Sequence, residues 1–348
     1  LAALLAILFD GLAGVVQAGV GIWQFGLRGV GPDHFEIQPG FYRAYGAFEQ
    51  PNPFGGFMGM VWPVAAGLAI GIWQSAGGRR RSRISHPRAA IRKQPSAISN
   101  RRSRIISLAL AFVALLTGLA LVLSFSRGAW LGAAAAAGTM VVFWPRRRLL
   151  GLTLGVAALG LVVGLLRAGA LPASVAARFD AIGEVTQVFS ARDVRGEQIE
   201  EANFSLLERI AHWQAAVAMA DANPWLGVGL GNWDAAYPDF SLINWRAPLG
   251  HAHNIYLNVL AETGLVGLLA YAAMWIAIVW VTLRALRDSR GWRRGLAVGL
   301  LGVWVHLAVH QLVDNLYVNN LHLYFGTLLG VLAAMDSSPA LDDPETVR

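Results

Sequence analysis

Long apolar runs dominate the hydropathy pattern, and polar residues are concentrated in short connections and two longer segments. Most of the runs approach the roughly 20 residues that a helix needs to cross the hydrocarbon core of a bilayer. The pattern therefore predicts an all-α, polytopic transmembrane helical bundle of about eight spans. We place the spans at about residues 1–27, 54–75, 105–124, 128–144, 149–167, 254–283, 295–314 and 316–335.

Basic residues indicate which span ends face the cytoplasm, because Lys and Arg are enriched in cytoplasmic loops. Residues 76–104 hold ten of the 28 basic residues and are predicted to form a basic cytoplasmic loop. Residues 168–252 then form a large, partly helical extracytoplasmic loop with two expected helices, one of them at about 203–221. Residues 1–348 are treated as a single membrane domain. Because residue 1 is Leu and lies within an apolar run, we expect the natural N-terminus to be missing.

Composition agrees with a membrane protein. Of the 348 residues, 55% are hydrophobic and 14% are charged, and the mean hydropathy is +0.49, whereas a soluble domain has about 25% charged residues. The net charge of +7 follows from the basic loops, so we expect no nucleic-acid partner. The absence of cysteine excludes disulfides and thiolate chemistry.

The stretch from His251 to Gly267 places polar residues at the start of an apolar segment that is expected to continue as an unbroken helix to about Leu283. In a helix, Asn254, Asn258 and Glu262 share one face. An acid inside a span is costly without a partner, which favours a functional role over an interfacial cap. The small residues Gly264 and Gly267 are expected to let another helix approach closely.

Three arginines in the predicted outer segments are candidate anion ligands, because guanidinium binds phosphate oxygens in a bidentate way. Arg127 lies in a Ser-Arg-Gly turn between two spans, where the alternative is snorkelling to lipid headgroups. Arg43 precedes a turn-rich return to the membrane, and its alternative is an ordinary loop charge. Arg209 is equally well explained by an ion pair within a solvated helix.

Two further patterns resemble ligand sites that we do not predict. His306, His310 and Asp314 recur at helical spacing on the seventh span, and histidines four residues apart can bind a metal ion. We interpret them instead as a polar stripe facing the bundle interior, and we expect neither a metal nor a cofactor. The glycine-rich run Gly227–Gly231 follows no predicted strand, so we interpret it as a turn and reject a dinucleotide site.

Several local motifs, in order, resemble the O-antigen ligase/polymerase family. His253-Asn254, nine residues and then Gly264-Leu-Val-Gly267 resemble its His-Asn-x9-Gly-x-x-Gly signature. Ser126-Arg-Gly128 resembles its Ser-Arg-Gly turn. The run from Arg209 through Trp213 and Pro224 to Asn232 is similar to the family's Arg-x-x-x-Trp…Pro-x-x-Gly-x-Gly-x-Gly-Asn pattern, and residues 46–55 resemble its Gly-x-Phe-x-x-Pro-Asn segment. Members usually have more spans than the eight counted here.

The resemblance implies a C-type glycosyltransferase fold in the bacterial inner membrane, with its active site facing the periplasm. It implies metal-independent, inverting transfer of a glycan from an undecaprenyl-pyrophosphate carrier. The acceptor is a growing polysaccharide, a lipid A core sugar or a protein hydroxyl, and the sequence does not choose among them. Residues 168–252 are then a periplasmic loop, and the products belong to lipopolysaccharide or other cell envelope polysaccharides.

The candidate residues fit this chemistry. A neutral histidine titrates near the working pH and is suited to act as a general base. His253 is our candidate base and His251 the second choice. Preorganised arginines neutralise a departing diphosphate, a role that we assign to Arg127, Arg43 and Arg209. The supporting residues are Asn254, Asn258 and Glu262.

Two functions of other classes stay open at the sequence level. A transporter or flippase of lipid-linked glycans would use the arginines along its path and His253 as a proton relay. A sensor or structural membrane protein would use the outer region to bind a partner. The position of the motifs at span ends, away from the middle of the membrane, favours the transferase.

Overall fold

A computed structural model of the chain describes residues 2–85, 97–168, 193–200 and 203–336. These residues are mostly helical, as the apolar runs predict. Their α-helices, in chain order, are α1 (Ala2–Ile22), α2 (Pro51–Ser85), α3 (Ala97–Leu123), α4 (Arg127–Phe143), α5 (Arg148–Arg167), α6 (Phe204–Ala222), α7 (Trp233–Phe240), α8 (Ile255–Asp288), α9 (Gly291–His310) and α10 (Leu321–Asp336).

Four of the described helical segments are long and apolar enough to cross a membrane: Leu5–Leu27, Pro51–Ala76, Asn100–Leu123 and Ile255–Asp288. The apolar helices α4 and α10 are shorter. A helical membrane protein is therefore supported, and the count of about eight spans stays a prediction. The middle of the predicted basic loop (residues 86–96), part of the predicted large loop (169–192 and 201–202) and the acidic tail (337–348) lie outside the described residues.

The connection between α1 and α2 contains structure that the apolar pattern does not predict. A π-helical turn, Trp23–Leu27, continues α1, and a short 3-10 turn leads into two antiparallel strands, β1 (Glu36–Gln38) and β2 (Phe41–Tyr42). The buried Gln24 side chain accepts the Gly46 N–H at 2.7 Å and donates to the Gly46 carbonyl at 2.9 Å. This amide therefore fixes the return of the chain into α2.

The described residues form two compact units. The first comprises residues from Leu1–Gly155, Ile278–Leu307 and Asn319–Arg348. Within it α2 is the most buried of the candidate spans. A Cβ added to Gly67 would lie 2.2 Å from the Gly295 carbonyl oxygen, and one added to Gly71 would lie 2.8 Å from that of Gly291. Two small residues spaced four apart on the second span predict close packing of another helix, and the structure confirms this for Gly67 and Gly71.

His306 lies in the core of this first unit. Its ring fits between two glycines, because a Cβ at Gly59 or at Gly132 would overlap the imidazole, at 2.0 Å from Nε2 and 2.7 Å from Nδ1 respectively. Helix α9 ends at His310, so the predicted helical stripe of His306, His310 and Asp314 is wrong for Asp314, which follows the helix.

The second unit comprises residues from Val156–Ala277 and Ala308–Val318. Its core has two apolar clusters that share α6. One contains Trp213 and Trp245, and the other contains Met219, Trp233 and Tyr237. The helix predicted at about 203–221 is therefore confirmed as α6, and its buried face supports the residues of the candidate site.

Candidate active site

The second unit brings two histidines and one aspartate together. Nδ1 of His253 lies 3.8 Å from Oδ1 of Asp314, and the His251 and His253 rings are 4.4 Å apart between centroids. The His253 side chain is 17% exposed and that of Asp314 is 9% exposed. A distance of 3.8 Å is too long for a hydrogen bond and short enough for strong attraction between a carboxylate and an imidazolium.

The backbone before α8 presents His253 in an unusual conformation. Its φ is +51°, in the left-handed region that is uncommon for residues other than Gly, although Asn, Asp and His adopt it more often than other side chains. Such a conformation costs about 1–3 kcal/mol and occurs most often at functional sites. The next residue, Asn254, caps α8, because its Oδ1 accepts the N–H groups of Tyr256 and Leu257 at 2.9 and 3.1 Å.

Three successive carbonyls position Asp314. The Gln311 oxygen accepts the Ile255 N–H at 3.1 Å, and the Leu312 oxygen accepts Nδ2 of Asn254 at 2.9 Å. The Val313 oxygen accepts Nε of Arg209 at 3.2 Å. Donors from two separate parts of the chain therefore hold the segment after α9 and bring Asp314 against His253.

His251 is held as a neutral imidazole. Its Nδ1 accepts the backbone N–H of His253 at 3.0 Å, which requires an unprotonated nitrogen. Burial, followed by the nearby His253, lowers the pKa of His251 to about 4. A histidine with so low a pKa is a weak general base near neutral pH, which disfavours His251 in that role.

Asp314 is a site residue that we did not predict from the sequence. Burial alone would raise the pKa of its carboxyl, but His253, His310 and His251 around it hold that pKa below its ordinary value. The carboxylate is therefore charged across the physiological range. Its spacing from His306 and His310 drew attention to it, but a helical interpretation could not connect it to His253.

Arg209 projects from α6 onto the same segment. Besides the Val313 contact, its Nη1 donates to the Ser205 carbonyl at 2.8 Å and also contacts the Ser205 hydroxyl. Its positive charge contributes to the lowered pKa of His251. The structure thus places Arg209 beside the histidine cluster, where Nε and Nη1 of its guanidinium donate hydrogen bonds to protein groups.

His212 is a second site residue that the sequence motifs did not single out. Its Nδ1 lies 2.7 Å from the Glu208 carbonyl oxygen and its Nε2 lies 3.0 Å from that of Ala247. The ring edge meets His253 at 5.5 Å between centroids. The only sequence signal was its place after Arg209 in the Arg-x-x-His-Trp run.

The predicted supporting residues Asn254, Asn258 and Glu262 are all buried, and the side chain of each accepts a hydrogen bond from a backbone N–H. Asn254 caps α8, the Asn258 Oδ1 accepts the Ala252 N–H at 2.9 Å, and the Glu262 Oε1 accepts the Trp233 N–H at the start of α7 at 3.0 Å. Asn254 and Asn258 therefore fix the loop that carries the histidines, and Glu262 fixes the start of α7. The cost of burying Glu262 is offset by this contact with a helix N-terminus.

The prediction of an unbroken helix after Asn254 is wrong. At Gly264, φ is +63° and ψ is −163°, so α8 consists of two helical segments that meet at a kink. The loop after α6 fills the break. Val228 and Gly229 donate to the Ala261 and Glu262 carbonyls at 2.9 Å each, which satisfies acceptors that the kink leaves without helical donors.

The backbone N–H groups that follow the kink are also paired with this loop. The N–H groups of Leu265 and Val266 donate to the Pro224 and Trp225 carbonyls at 2.8 and 3.2 Å. A Cβ on Gly264 would lie 2.3 Å from the Trp225 carbonyl carbon, and one on Gly227 would lie 2.4 Å from the Ala261 oxygen. The prediction that a helix approaches Gly264 is therefore wrong, because its close neighbour is a loop. The interpretation of the Gly227–Gly231 run as a turn is confirmed, because this turn forms the loop.

Arg43 and Arg127 lie in the first unit, where the structure brings their segments together. Nε of Arg43 donates to the Ser124 carbonyl at 2.9 Å, and its Nη2 donates to Oδ1 of Asn52 at 3.3 Å. Arg127 begins α4 directly after Ser126, whose side chain accepts the Ala129 N–H at 3.3 Å. The predicted short connection between two helices is therefore confirmed, with Arg127 as the first residue of α4.

Among the described residues, one group has metal-ligand geometry. One ring nitrogen from each of His251 and His253 and one oxygen of Asp314 lie within 4.8 Å of one another. Two imidazoles and a carboxylate are suitable ligands for Zn²⁺, whereas the nearby Arg209 charge opposes a bound cation. The geometry thus admits an ion, whose charge the Asp314 carboxylate would attract and the Arg209 guanidinium would repel.

The comparisons with known proteins address the domain that holds most of these residues. Residues 110–272 match the family model described as O-antigen ligase. The matched range includes Arg127, Arg209 and the His251–Asn254 loop. No curated protein matches the chain significantly. The resemblance found in the motifs is thereby confirmed for residues 110–272, which are similar to the O-antigen ligase family.

Proposed function

We propose that the protein transfers a glycan from an undecaprenyl-pyrophosphate carrier to an acceptor hydroxyl at the outer face of a bacterial inner membrane. The family match indicates glycan transfer of the ligase or polymerase type and, together with the apolar helices, a membrane protein. The observation that carries the finer proposal is the close pair formed by the partly buried His253 and the buried Asp314, in the same unit as Arg209.

His253 is the proposed general base. In the proposed mechanism the neutral ring carries its proton on Nδ1, the nitrogen that lies 3.8 Å from Oδ1 of Asp314, so that Nε2 has the lone pair that accepts the proton of the acceptor hydroxyl. The acceptor oxygen then forms a bond to the anomeric carbon from the side opposite the leaving group. The bond between that carbon and the diphosphate oxygen breaks, and undecaprenyl diphosphate leaves with the electron pair, so that the anomeric configuration inverts.

Asp314 stabilises the imidazolium that forms during this step. Its carboxylate is already charged and buried beside His253, so little reorganisation is needed as positive charge develops. Both ring nitrogens of His253 are buried, so a bound acceptor has to displace neighbouring groups to reach Nε2. This requirement keeps the base away from bulk water until the acceptor binds.

Charge neutralisation of the leaving diphosphate is the role proposed for Arg127, Arg43 and Arg209. Planar guanidinium groups bind phosphate oxygens without a metal ion. The contacts of Arg43 with Ser124 and Asn52 and those of Arg209 with Ser205 and Val313 restrict both side chains. Restricted donors lose less conformational entropy when the diphosphate binds.

The test is glycan transfer by the purified full chain in proteoliposomes with a lipid-diphosphate glycan and an acceptor. His253→Asn is the variant of choice, because Asn tolerates the left-handed backbone and lacks a base. We expect it to lower the rate by about 10²–10⁴-fold. Transfer at the wild-type rate by both His253→Asn and Arg127→Ala would refute the site assignment. Movement of the donor across the bilayer without transfer would identify a transporter.

The acceptor class is tested in the same assay. A lipid A core sugar, a second lipid-linked glycan and a serine-containing protein are offered separately to the wild-type chain. A product on the first identifies a ligase, on the second a polymerase, and on the third a protein O-oligosaccharyltransferase. We propose a ligase or polymerase, so a product on the protein alone would contradict us.

A further inference from the structure

The loop that fills the α8 kink exposes its apolar side chains. Trp225, Leu226 and Leu230 are 68%, 71% and 83% exposed. No charged residue occurs from Ala222 to Trp233. Large, contiguous apolar exposure of this kind marks an interaction surface, because a loop in water normally presents polar groups.

Several backbone groups of the same loop are paired with protein groups. Carbonyls of Pro224 and Trp225 and N–H groups of Val228 and Gly229 bond to α8. The Gly227 N–H donates to the Asn223 carbonyl at 2.8 Å, and the Val228 carbonyl accepts Nδ2 of Asn232 at 3.1 Å. Backbone groups without a hydrogen-bond partner are costly next to hydrocarbon, so this pairing lowers the cost of placing the loop at the edge of the apolar core.

The apolar surface continues onto α8 directly beyond the kink. Leu265, Val266 and Leu269 are exposed on the helix, and the first two donate their N–H groups to the loop. Because α8 is a candidate membrane span, its exposed apolar side chains are suited to face lipid. The loop and this part of the helix therefore present one surface.

The length of α8 indicates where the hydrocarbon begins. The helix has 34 residues, which at about 1.5 Å per residue exceed a hydrocarbon core of about 30 Å. The uncharged stretch between Glu262 and Arg284 includes Gly264–Leu283, whose length of about 30 Å matches that core. The kink thus coincides with one boundary of the apolar core.

We propose that Trp225, Leu226 and Leu230 insert into the bilayer at this boundary, and that the Gly264 kink marks the outer edge of the hydrocarbon. Trp is enriched at membrane interfaces, where an amphipathic ring meets both water and lipid. The partner is bilayer lipid in general, through its acyl chains and glycerol region. The insertion would hold the His251–Asn254 loop at the level of lipid headgroups.

Because the chain has no cysteine, single-cysteine variants test the proposal in the full chain. Leu226→Cys and Leu230→Cys carry a spin label, and the reconstituted protein is exposed to oxygen, which partitions into lipid, and to a water-soluble nickel complex. Ile243→Cys is the matched control, because Ile243 is an equally exposed apolar residue outside the loop. Leu269→Cys is the lipid-facing reference.

We expect the labels at 226, 230 and 269 to collide more often with oxygen than with nickel, and the label at 243 to show the reverse. Water exposure at 226 and 230 equal to that at 243 would overturn the proposal. Shielding from both reagents would also overturn it, because the loop would then pack against protein. The measurement requires no glycan transfer, so its failure is distinct from failure of the proposed function.

Discussion

Asp314→Asn tests the His253–Asp314 pair most directly, because it removes the charge of the carboxylate and keeps its size. An amide oxygen can still accept the Asn315 N–H, which Oδ1 of Asp314 accepts at 2.8 Å. In the proposed mechanism His253 becomes an imidazolium only as the proton is transferred. The attraction to Asp314 therefore stabilises the transition state more than the ground state.

The separation of 3.8 Å between Nδ1 and Oδ1 sets the size of the effect. Two unit charges at this distance attract by about 1 kcal/mol in bulk water and by about 4 kcal/mol at an effective dielectric constant of about 20. These energies correspond to rate losses of about sixfold and about a thousandfold. Because Asp314 is buried, we expect a loss in the upper part of this range.

The assay is kcat/KM for glycan transfer in proteoliposomes, with Asp239→Asn as the control because Asp239 is an exposed aspartate of the same unit. In a His253→Asn background, Asp314→Asn should cost little more, since the imidazolium no longer forms. A loss of less than about twofold for Asp314→Asn would refute the reasoning. An equal loss with and without His253 would show that Asp314 acts independently of the base.

Four further predictions follow from other features. The unfolded chain has a His251 pKa near 6.5 and the folded chain one of about 4, so the unfolded state binds more protons between these values and stability falls as the pH decreases through that window. The expected loss of folding free energy is about 3 kcal/mol. The variant His251→Asn retains an acceptor for the His253 N–H but does not titrate, so thermal unfolding at pH 7 and pH 4.5 should show a smaller loss of stability than in the wild type. An unchanged pH dependence would contradict this prediction. Gly227→Ala should lower the melting temperature more than Gly231→Ala. Both glycines have positive φ, but only Gly227 has backbone atoms within 4 Å of an added Cβ. Equal effects would show that contact between the added Cβ and this backbone does not affect stability. Arg127→Lys keeps the charge and loses the planar fork, so we expect about a tenfold lower kcat/KM for the lipid-diphosphate donor, and an unchanged value would exclude bidentate binding. Chelators should leave transfer unchanged, whereas a loss that Zn²⁺ reverses would identify the His251–His253–Asp314 group as a metal site.

The helices were largely predictable from sequence because membrane spans and packing surfaces are local patterns. The apolar runs located the helices to within a few residues at many of their ends, and Gly67 and Gly71 marked the close contact of α2 with α9. Ser126 is a typical N-cap residue between two apolar segments, so the tight turn before α4 was also predictable.

The site was less predictable because distant parts of the chain determine it. No Gly or Pro stops α9 at His310, and the carbonyls of Gln311–Val313 bond instead to Ile255, Asn254 and Arg209. A helical interpretation that continued to Asp314 therefore missed its contact with His253. Likewise, the kink at Gly264 depends on a loop about 40 residues upstream, which satisfies the broken helical hydrogen bonds.

The carbonyls of Gln311–Val313 also affect how substitutions in this region combine. Asn254 and Arg209 belong to different sequence motifs, yet each donates to a neighbouring peptide of the segment that carries Asp314. Removing either donor loosens the same short segment, so the second removal has less left to disrupt. The two motifs are therefore energetically coupled, and the free-energy changes of their single variants should not add in the double variant.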